Sequence, residues 1–464
     1  MTGYHWLLVH ILPSVGFILA LIILSHILRE KRPPSSTLAW LMAIIFIPYL
    51  GVPLYLIFGG RKMLSKTAQK PKFEHKRPKP VDSDTVTACF LETSSGVFPL
   101  SAHNRITLLP RGEQAFQTIL DLIQNARRSI YIATFILGKD DTGKAIVGAL
   151  AEKASQGLEV CLLLDALGSV KISRKMLSPL LSAGGHATDF MPMVHLPFRG
   201  RANLRNHRKM FICDNQAAVI GGMNLASEYM GPQDFPGRWR DLSLLVEGPV
   251  VEHITDIFAS DWSFASKSPL RIPSSTEQDA AALADADGLT QLIASGPDVL
   301  DDSLRNEILT EMFRAKRRIW VVTPYFVPDE LLLEALRIAV CRSVDVSIIV
   351  PKKSNHLLAD IVREGYLTRV QEAGAAVWLY EPRMLHAKAL IIDDTMAMVG
   401  SANMDMRSIL LNYEIAMCLY DSAVIEELES WMLDVIGQCS RRKPRSGRRF
   451  GLVEGVGRLF APLL

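Results

Sequence analysis

Two stretches near the start of the chain are almost wholly apolar, and the polar residues that interrupt later stretches fall on helical and strand periods instead. Residues 6–28 read WLLVHILPSVGFILALIILSHIL, and about 20 such residues span a hydrocarbon core as helix. Residues 37–58 (TLAWLMAIIFIPYLGVPLYLIF) are long enough to do the same. Pro48, Gly51 and Pro53 predict a kink or break there, so this segment spans or re-enters. No Lys or Arg precedes the first run, it is too long for a signal-peptide core, and no small-residue cleavage site follows it. A membrane hairpin over residues 1–60 is therefore expected.

Beyond a basic linker (61–103), short β-rich apolar runs recur twice in the same order. The first series is ARRSIYIATFIL (126–137), GLEVCLLLDALGS (157–169) and HRKMFICDNQAAVIGGMN (207–224). The second is AKRRIWVVTPYFV (315–327), SVDVSIIVPKKS (343–354) and HAKALIIDDTMAMVGSAN (386–403). Helical patterns, GEQAFQTILDLIQNA and SLRNEILTEMFRA, precede the first run of each series. Continuous apolar runs read as strands buried on both faces, and their repetition reads as a duplication. The fold class expected is α/β, with two duplicated domains at 104–265 and 289–440. Residues 266–288, rich in Pro, Ser, Ala and Asp without an apolar period, link them. The tail, 441–464, carries RRKPRSGRR and then LFAPLL, a composition suited to an anionic lipid surface or to fraying into solvent.

Composition narrows the classes. Hydrophobic residues make up 49% and charged residues 21% of 464, which excludes a disordered, collagen-like or small disulfide-stapled chain. The formal charge of +3 is too small for a nucleic-acid binder, and no basic, aromatic-interleaved groove signature is present, so no nucleic-acid partner is expected. Charge is informative only locally. Arg61, Lys62, Lys66, Lys70, Lys72, Lys76, Arg77 and Lys79 follow the hairpin, against Arg29, Lys31 and Arg32 within it, which favours the cytoplasmic side for the remainder. The 6 Cys lie far apart with no CxxC pair, as reduced core residues do.

Candidate chemistry comes from the repeat. His207, Lys209, Asp214 and Asn224 stand at offsets of 2, 7 and 17 from the histidine, and His386, Lys388, Asp393 and Asn403 repeat every offset. A single HxK is ordinarily a satisfied histidine beside a solvated lysine; duplication of four residue types at three spacings reverses that. Strand periodicity sends His and Lys to one face, where imidazole and ammonium together suit a phosphate. Each Asp supplies turn chemistry before a return strand, a mainly structural role. The return strands end in GGMN and GSAN, where small residues let backbone N–H groups and the Asn amide approach a ligand oxygen. A lysine ammonium has no lone pair and no His/Cys ligand spacing exists, so neither a metal nor another cofactor is expected.

HxKxxxxD occurring twice, each time followed by G(G/S)xN, resembles the phospholipase D superfamily over 104–440. With the two apolar N-terminal segments, GGMNLASEY, WRDLSLLVEGP, TPYFVPDELLLEAL, NMDMRS and the LFAPLL end, nearly the whole chain resembles bacterial cardiolipin synthases. The resemblance implies two α/β/α halves about a pseudo-two-fold axis with one shared active site, in a multi-pass protein of the bacterial inner membrane. It implies metal-free joining of two phosphatidylglycerols into cardiolipin with release of glycerol, and anionic membrane lipid as the partner. His207 would be the nucleophile and His386 the acid; the motif counts Lys209, Lys388, Asp214 and Asp393 with them, and Asn224 and Asn403 with the phosphate. One departure stands out: Gly222 occupies the first half's Ser position. A nucleophilic histidine also needs its second ring nitrogen held. Asp241 in WRD and Glu414 in NYE are candidates, or else ordinary salt-bridge acids. A phospholipase D, another phosphatidyltransferase, a nuclease of the superfamily and a catalytically dead lipid-binding scaffold remain the alternatives.

Overall fold

Buried apolar runs need neighbours on both faces, and the computed structural model shows how they are supplied. It describes residues 12–29, 34–58, 96–191, 204–270, 272, 288–299 and 301–443. The cations at 61–79, Lys31 and Arg32, most of the 266–288 linker and the tail from 444 lie outside the described residues. Two compact units result, one holding the N-terminal helices and one holding both repeats.

In the first unit, α1 (Leu12–Arg29) is followed by α2 (Pro34–Phe46) and α3 (Pro48–Phe58). The second apolar segment is thus two helices divided at Ile47. Pro48 has no N–H to continue α2 but suits the first position of α3. Gly51 donates its N–H to Ile47 O at 2.7 Å, and any Cβ there would collide with the Ala43 carbonyl. Ile23, Ile27, Ile44, Val52 and Tyr55 form a small core, with Trp40 edge-on to Tyr55 at 5.3 Å. Among the described residues no helix is long and apolar enough to cross a membrane.

The second unit is organised by one sheet. The first repeat supplies β1 (Ser101–Leu109), β2 (Ser129–Thr134), β3 (Glu159–Asp165), β4 (His186–Phe190), β5 (Met210–Cys213), β6 (Ala217–Gly221) and β7 (Ser243–Glu247). The second supplies β8 (Gly288–Ser295), β9 (Arg318–Val322), β11 (Asp345–Pro351), β12 (Ala376–Tyr380), β13 (Ala389–Ile392), β14 (Met396–Gly400), β16 (Glu414–Leu419) and β17 (Cys439–Arg441). A short parallel pair, β10 (Phe326–Val327) with β15 (Met404–Asp405), stands apart. The order is β4-β3-β2-β5-β6-β7-β1 joined to β8-β16-β14-β13-β9-β11-β12-β17, so each half repeats the other's order outward from the joint. That joint is antiparallel, pairing Ser101 with Thr290 and Asn104 with Gly288, as a pseudo-two-fold requires.

Strand alternation then distributes the helices. Ile130, Ile132, Val160, Leu162 and Leu164 pack with apolar residues of α4 (Gly112–Asn125), α5 (Asp141–Ser155) and α6 (Arg174–Ser182). The intervening Tyr131 stacks on Phe258 of α7 (Val250–Ser266) on the opposite face. In the second half, α8 (Ser303–Arg314), α9 (Glu330–Cys341) and α10 (Leu357–Ala373) join one apolar core, α11 (Met406–Leu410) is a single turn, and α12 (Ser422–Gly437) contacts β14 and β12. Each half is an α/β/α sandwich, yet the sheet is continuous through both. Order also passes the expected boundaries. Residues 96–103 belong to the sheet rather than a linker, because Ala294 N–H donates to Gly96 O and Phe98 N–H to Leu292 O. At the other end β17 pairs with β12, and Arg442 is buried against Glu364 and Gln371.

Candidate active site

Each HxK segment leads into a two-strand hairpin, β5–β6 or β13–β14. At the far end of the first, Asp214 and Asn215 adopt left-handed φ of 57° and 60°, as a tight hairpin turn demands. The Asp214 carboxylate accepts the N–H groups of Arg127, Arg128 and Ser129 at 2.8, 2.7 and 2.9 Å. Asp393 does the same for Lys316, Arg317 and Arg318 at 2.9, 2.8 and 3.0 Å. Both aspartates therefore tie the hairpin to the turn entering β2 or β9. A four-residue strand separates each from its His and Lys, which removes them from the reacting set in which the motif counts them.

The near ends cross between halves. Tyr413 donates its N–H to Arg205 O and His207 donates to Tyr413 O, both at 2.9 Å. In mirror fashion Arg240 donates to Met384 O at 2.8 Å and His386 to Arg240 O at 2.7 Å. The residue after each crossing is the carboxylate singled out in WRD or NYE, so each serves the other half's histidine. Asp241 Oδ2 lies 2.6 Å from His386 Nδ1, and Glu414 Oε1 lies 3.3 Å from His207 Nδ1. Asn412 Nδ2 adds a contact to His207 Nδ1 at 3.2 Å.

The two sides are not equivalent. The His207 side chain keeps 19% of its surface exposed against 10% for His386, and Phe135 covers one side of it at 4.2 Å. Trp239 and Tyr229 flank His386 at 5.4 and 5.1 Å. Burial, and then the Lys388 ammonium, push the His386 imidazole down to about 4, which leaves it neutral near pH 7. Lys388 Nζ sits 2.6 Å from His386 Nδ1, and Lys209 Nζ donates to His207 O at 2.6 Å. Burial lowers both lysines, Lys388 to about 7 with Lys209 adding to the effect. Burial acts to raise Asp241, but Lys388 and His386 outweigh it and hold the carboxyl below its ordinary value. Each lysine feels both Asp241 and Glu414, so the two motifs share one electrostatic site. Two buried lysines whose charged forms are disfavoured by burial suit an anion, which would favour those charges.

The asparagines and the Ser/Gly difference complete the picture. Asn224 Oδ1 accepts the Ile136 N–H at 3.1 Å, while Asn403 Nδ2 donates to Ser408 Oγ at 3.2 Å and leaves Oδ1 buried without a partner. Ser401 donates its hydroxyl to Glu414. At the matching place a Cβ on Gly222 would overlap Asp241 Oδ1. The departure at Gly222 thus accompanies the shorter carboxylate: Gly makes room for Asp241, and Ser supports Glu414.

Three supports escape the motif reading. Arg208, between His207 and Lys209, projects opposite them and is fully buried, meeting both Asp261 oxygens at 2.8 Å and Ser295 O at 2.9 Å. Asp165 accepts the Asn206 N–H at 2.9 Å and positions the loop before His207. Asn412 precedes the crossing residue. Alternation along HRK predicts that Arg208 faces away, but Ala387 in the second half gave no repeat to draw attention to it.

Comparison with known proteins agrees with the geometry. A family described as "Cardiolipin synthase, PLD-like domain" matches residues 119–262 and 308–436, and "Phospholipase D-nuclease N-terminal" matches 18–60. The chain is 34% identical to cardiolipin synthase 1 of Bacillus anthracis, over 94% of this chain and 90% of that protein. It is 33% identical to the major cardiolipin synthase of Bacillus subtilis (strain 168), over 90% and 91%. The crystal structure of phosphatidylserine synthase from Haemophilus influenzae Rd KW20 covers 77% of this chain and 93% of its own with a TM-score of 0.57 at 15% identity, a likeness of fold. With a duplicated α/β/α architecture, two HxKxxxxD motifs in one electrostatic site and relatives matched over nearly their whole length, the chain belongs to the cardiolipin synthase family of the phospholipase D superfamily.

Proposed function

We propose that this protein joins two phosphatidylglycerols into cardiolipin, releasing glycerol, through a phosphatidyl-histidine. The observation that carries the reading is the crossed support of two histidines, each Nδ1 facing a carboxylate of the opposite half, beside two lysines. With Nδ1–H donated to Glu414, the lone pair of His207 Nε2 is free to attack phosphorus. The bond from phosphorus to the glycerol oxygen breaks, and His386, which must take up a proton as the anionic substrate binds, gives that proton to the oxygen. A bound phosphodiester anion offsets Lys209 and Lys388, the lysines whose charges oppose protonation of His386. In the second step the glycerol hydroxyl of another phosphatidylglycerol attacks, His386 takes its proton, and the P–N bond breaks. Lys209, Lys388, Asn224 and Asn403 would stabilise the nonbridging oxygens, where one lost donor costs on the order of 100-fold in rate.

The N-terminal helices support attachment to the membrane. Phe17, Ile18, Leu21 and Ile22 of α1, and Met42, Ile45 and Phe46 of α2, expose large apolar side chains of the kind a bilayer covers. The cations at 61–79 favour the cytoplasmic face for the catalytic unit. Protease protection in sealed inner-membrane vesicles of known orientation tests that side.

The decisive assay incubates purified protein with labelled phosphatidylglycerol in mixed micelles. Cardiolipin and glycerol are the expected products, unaffected by EDTA, with loss of both in His207→Ala and His386→Ala. Phosphatidic acid alone would make the protein a hydrolase, and no turnover would make it a scaffold.

A further inference from the structure

In the second step the phosphatidyl group on His207 and the phosphodiester of the acceptor lipid are present together, but Lys209 and Lys388 account for only one. Trp239 lines a cavity of about 260 Å³ whose lining carries four guanidiniums, those of Arg111, Arg238, Arg240 and Arg383, against two carboxylates, Glu113 and Asp234. Four positive charges and two negative ones leave an excess of two. Their pairing is unequal. Arg238 is buried and bonded to Glu113, and Arg240 reaches Asp434 at 2.9 Å. Arg111 stands 3.6 Å from Glu113 and Arg383 only 3.9 Å from Asp234, too long for strong ion pairs. Arg240 Nε is buried with no hydrogen-bond partner. Helix α4 begins on the same wall, and the side chain of its N-cap residue, Arg111, makes no capping hydrogen bond, so its N-terminus adds positive potential.

The cavity is also wired to the chemistry. Trp239, which lines it, stands 5.4 Å from the His386 ring. Arg240 exchanges backbone hydrogen bonds with Met384 and His386 in the segment that leads into β13, and the next residue, Asp241, holds His386 Nδ1. Guanidiniums suit a phosphodiester, whose two nonbridging oxygens match their planar fork.

We infer that this arginine-lined cavity takes the phosphodiester of the acceptor lipid, one glycerol headgroup away from the phosphorus under attack. The assignment rests on the synthase reading above. Its consequence is selective: an acceptor held by its phosphate presents its glycerol hydroxyl to the phosphatidyl-histidine ahead of water.

The test uses the full-length enzyme in mixed micelles and reads the ratio of cardiolipin to phosphatidic acid, which does not depend on how much of a variant is folded. Arg383→Gln and Arg111→Gln should each lower that ratio about tenfold, the effect of losing one charge-assisted hydrogen bond, and Arg383→Lys should recover part of it. Arg337→Gln, an equal loss of charge at a half-exposed position of α9, should keep the wild-type ratio. Inorganic phosphate should lower the ratio in wild type and leave it unmoved in the variant carrying both Arg111→Gln and Arg383→Gln. If wild type makes cardiolipin and both glutamine variants keep its ratio, the acceptor site is overturned while the synthase reading stands. If phosphate alters total turnover at constant ratio, the cavity serves free phosphate and the acceptor assignment is overturned. If wild type makes no cardiolipin, the reading and this inference fall together.

Discussion

At the scale of single residues, the site is tuned by side chains that touch the histidines' partners. Gly222 is the sharpest case, because any side chain there displaces the carboxylate that holds His386. Gly222→Ser should reduce transfer about 100-fold with little change in melting temperature, since groups that hold a site's imidazole in place are commonly worth 10- to 100-fold. Ser401→Ala removes the hydroxyl that donates to Glu414 and accepts the Ile415 N–H at 3.0 Å, and should cost about tenfold. Parallel assays and thermal melts distinguish these from misfolding. Lys388 sets a pH limit of its own. Burial first, and Lys209 with it, bring the ammonium to about 7, so the charge proposed to bind the phosphodiester is present below that pH and lost as pH rises through it. The pH profile of kcat/KM, which reports the free enzyme, should therefore fall on its alkaline side near 7. Lys388→Arg, whose guanidinium stays charged, should carry that limb upward.

At the scale of elements, the hairpins carry the motifs and the aspartates hold the hairpins. Asp214→Asn and Asp393→Asn should each destabilise by about 3 kcal/mol, as expected for weakening hydrogen bonds from N–H groups to a charged acceptor, while turnover per folded molecule is unchanged. A loss of turnover at unchanged melting temperature would instead return them to the chemistry. The hairpins and the strands β2, β3, β9 and β11 were legible because buried strands are apolar along their whole length and because the repeat supplied each one twice. The break at Ile47 was readable from Pro48. The exchange of Asp241 and Glu414 was not, because sequence offsets measure distance along one half and carry no information on which half's histidine a loop will meet. Arg208 was hidden differently: its partner Asp261 lies 53 positions away on a helix face, and nothing in the second half repeats the pair. The sheet's continuity was equally hidden, since β1 and β8 precede the repeated runs.

At the scale of the whole molecule, neither half holds both a motif histidine and the carboxylate beside its Nδ1. Asp241→Ala should therefore behave as a lesion of His386, and Glu414→Ala as a lesion of His207. Double-mutant cycles on transfer rate and on trapping of label at His207 should show strong coupling for Asp241 with His386 and for Glu414 with His207. Coupling within a half would reverse the assignment. The Arg208–Asp261 pair beneath the site reaches across as well, to Ser295 O and Glu414 O of the second half. Asp261→Ala leaves a buried guanidinium uncompensated and should lower stability by about 3–5 kcal/mol, read as one cooperative transition for both halves. The crossed carboxylates also constrain inheritance. A duplicated gene ordinarily lets one copy drift while the other keeps the function, but here each copy stores the other's orienting group, and the bargain includes the Gly222–Asp241 and Ser401–Glu414 matches. Chimeras of this chain with a relative should consequently fail when whole halves are exchanged and succeed when the histidine of one half travels with the carboxylate segment of the other, so that the unit of heredity in this fold is a pair of distant segments rather than a domain.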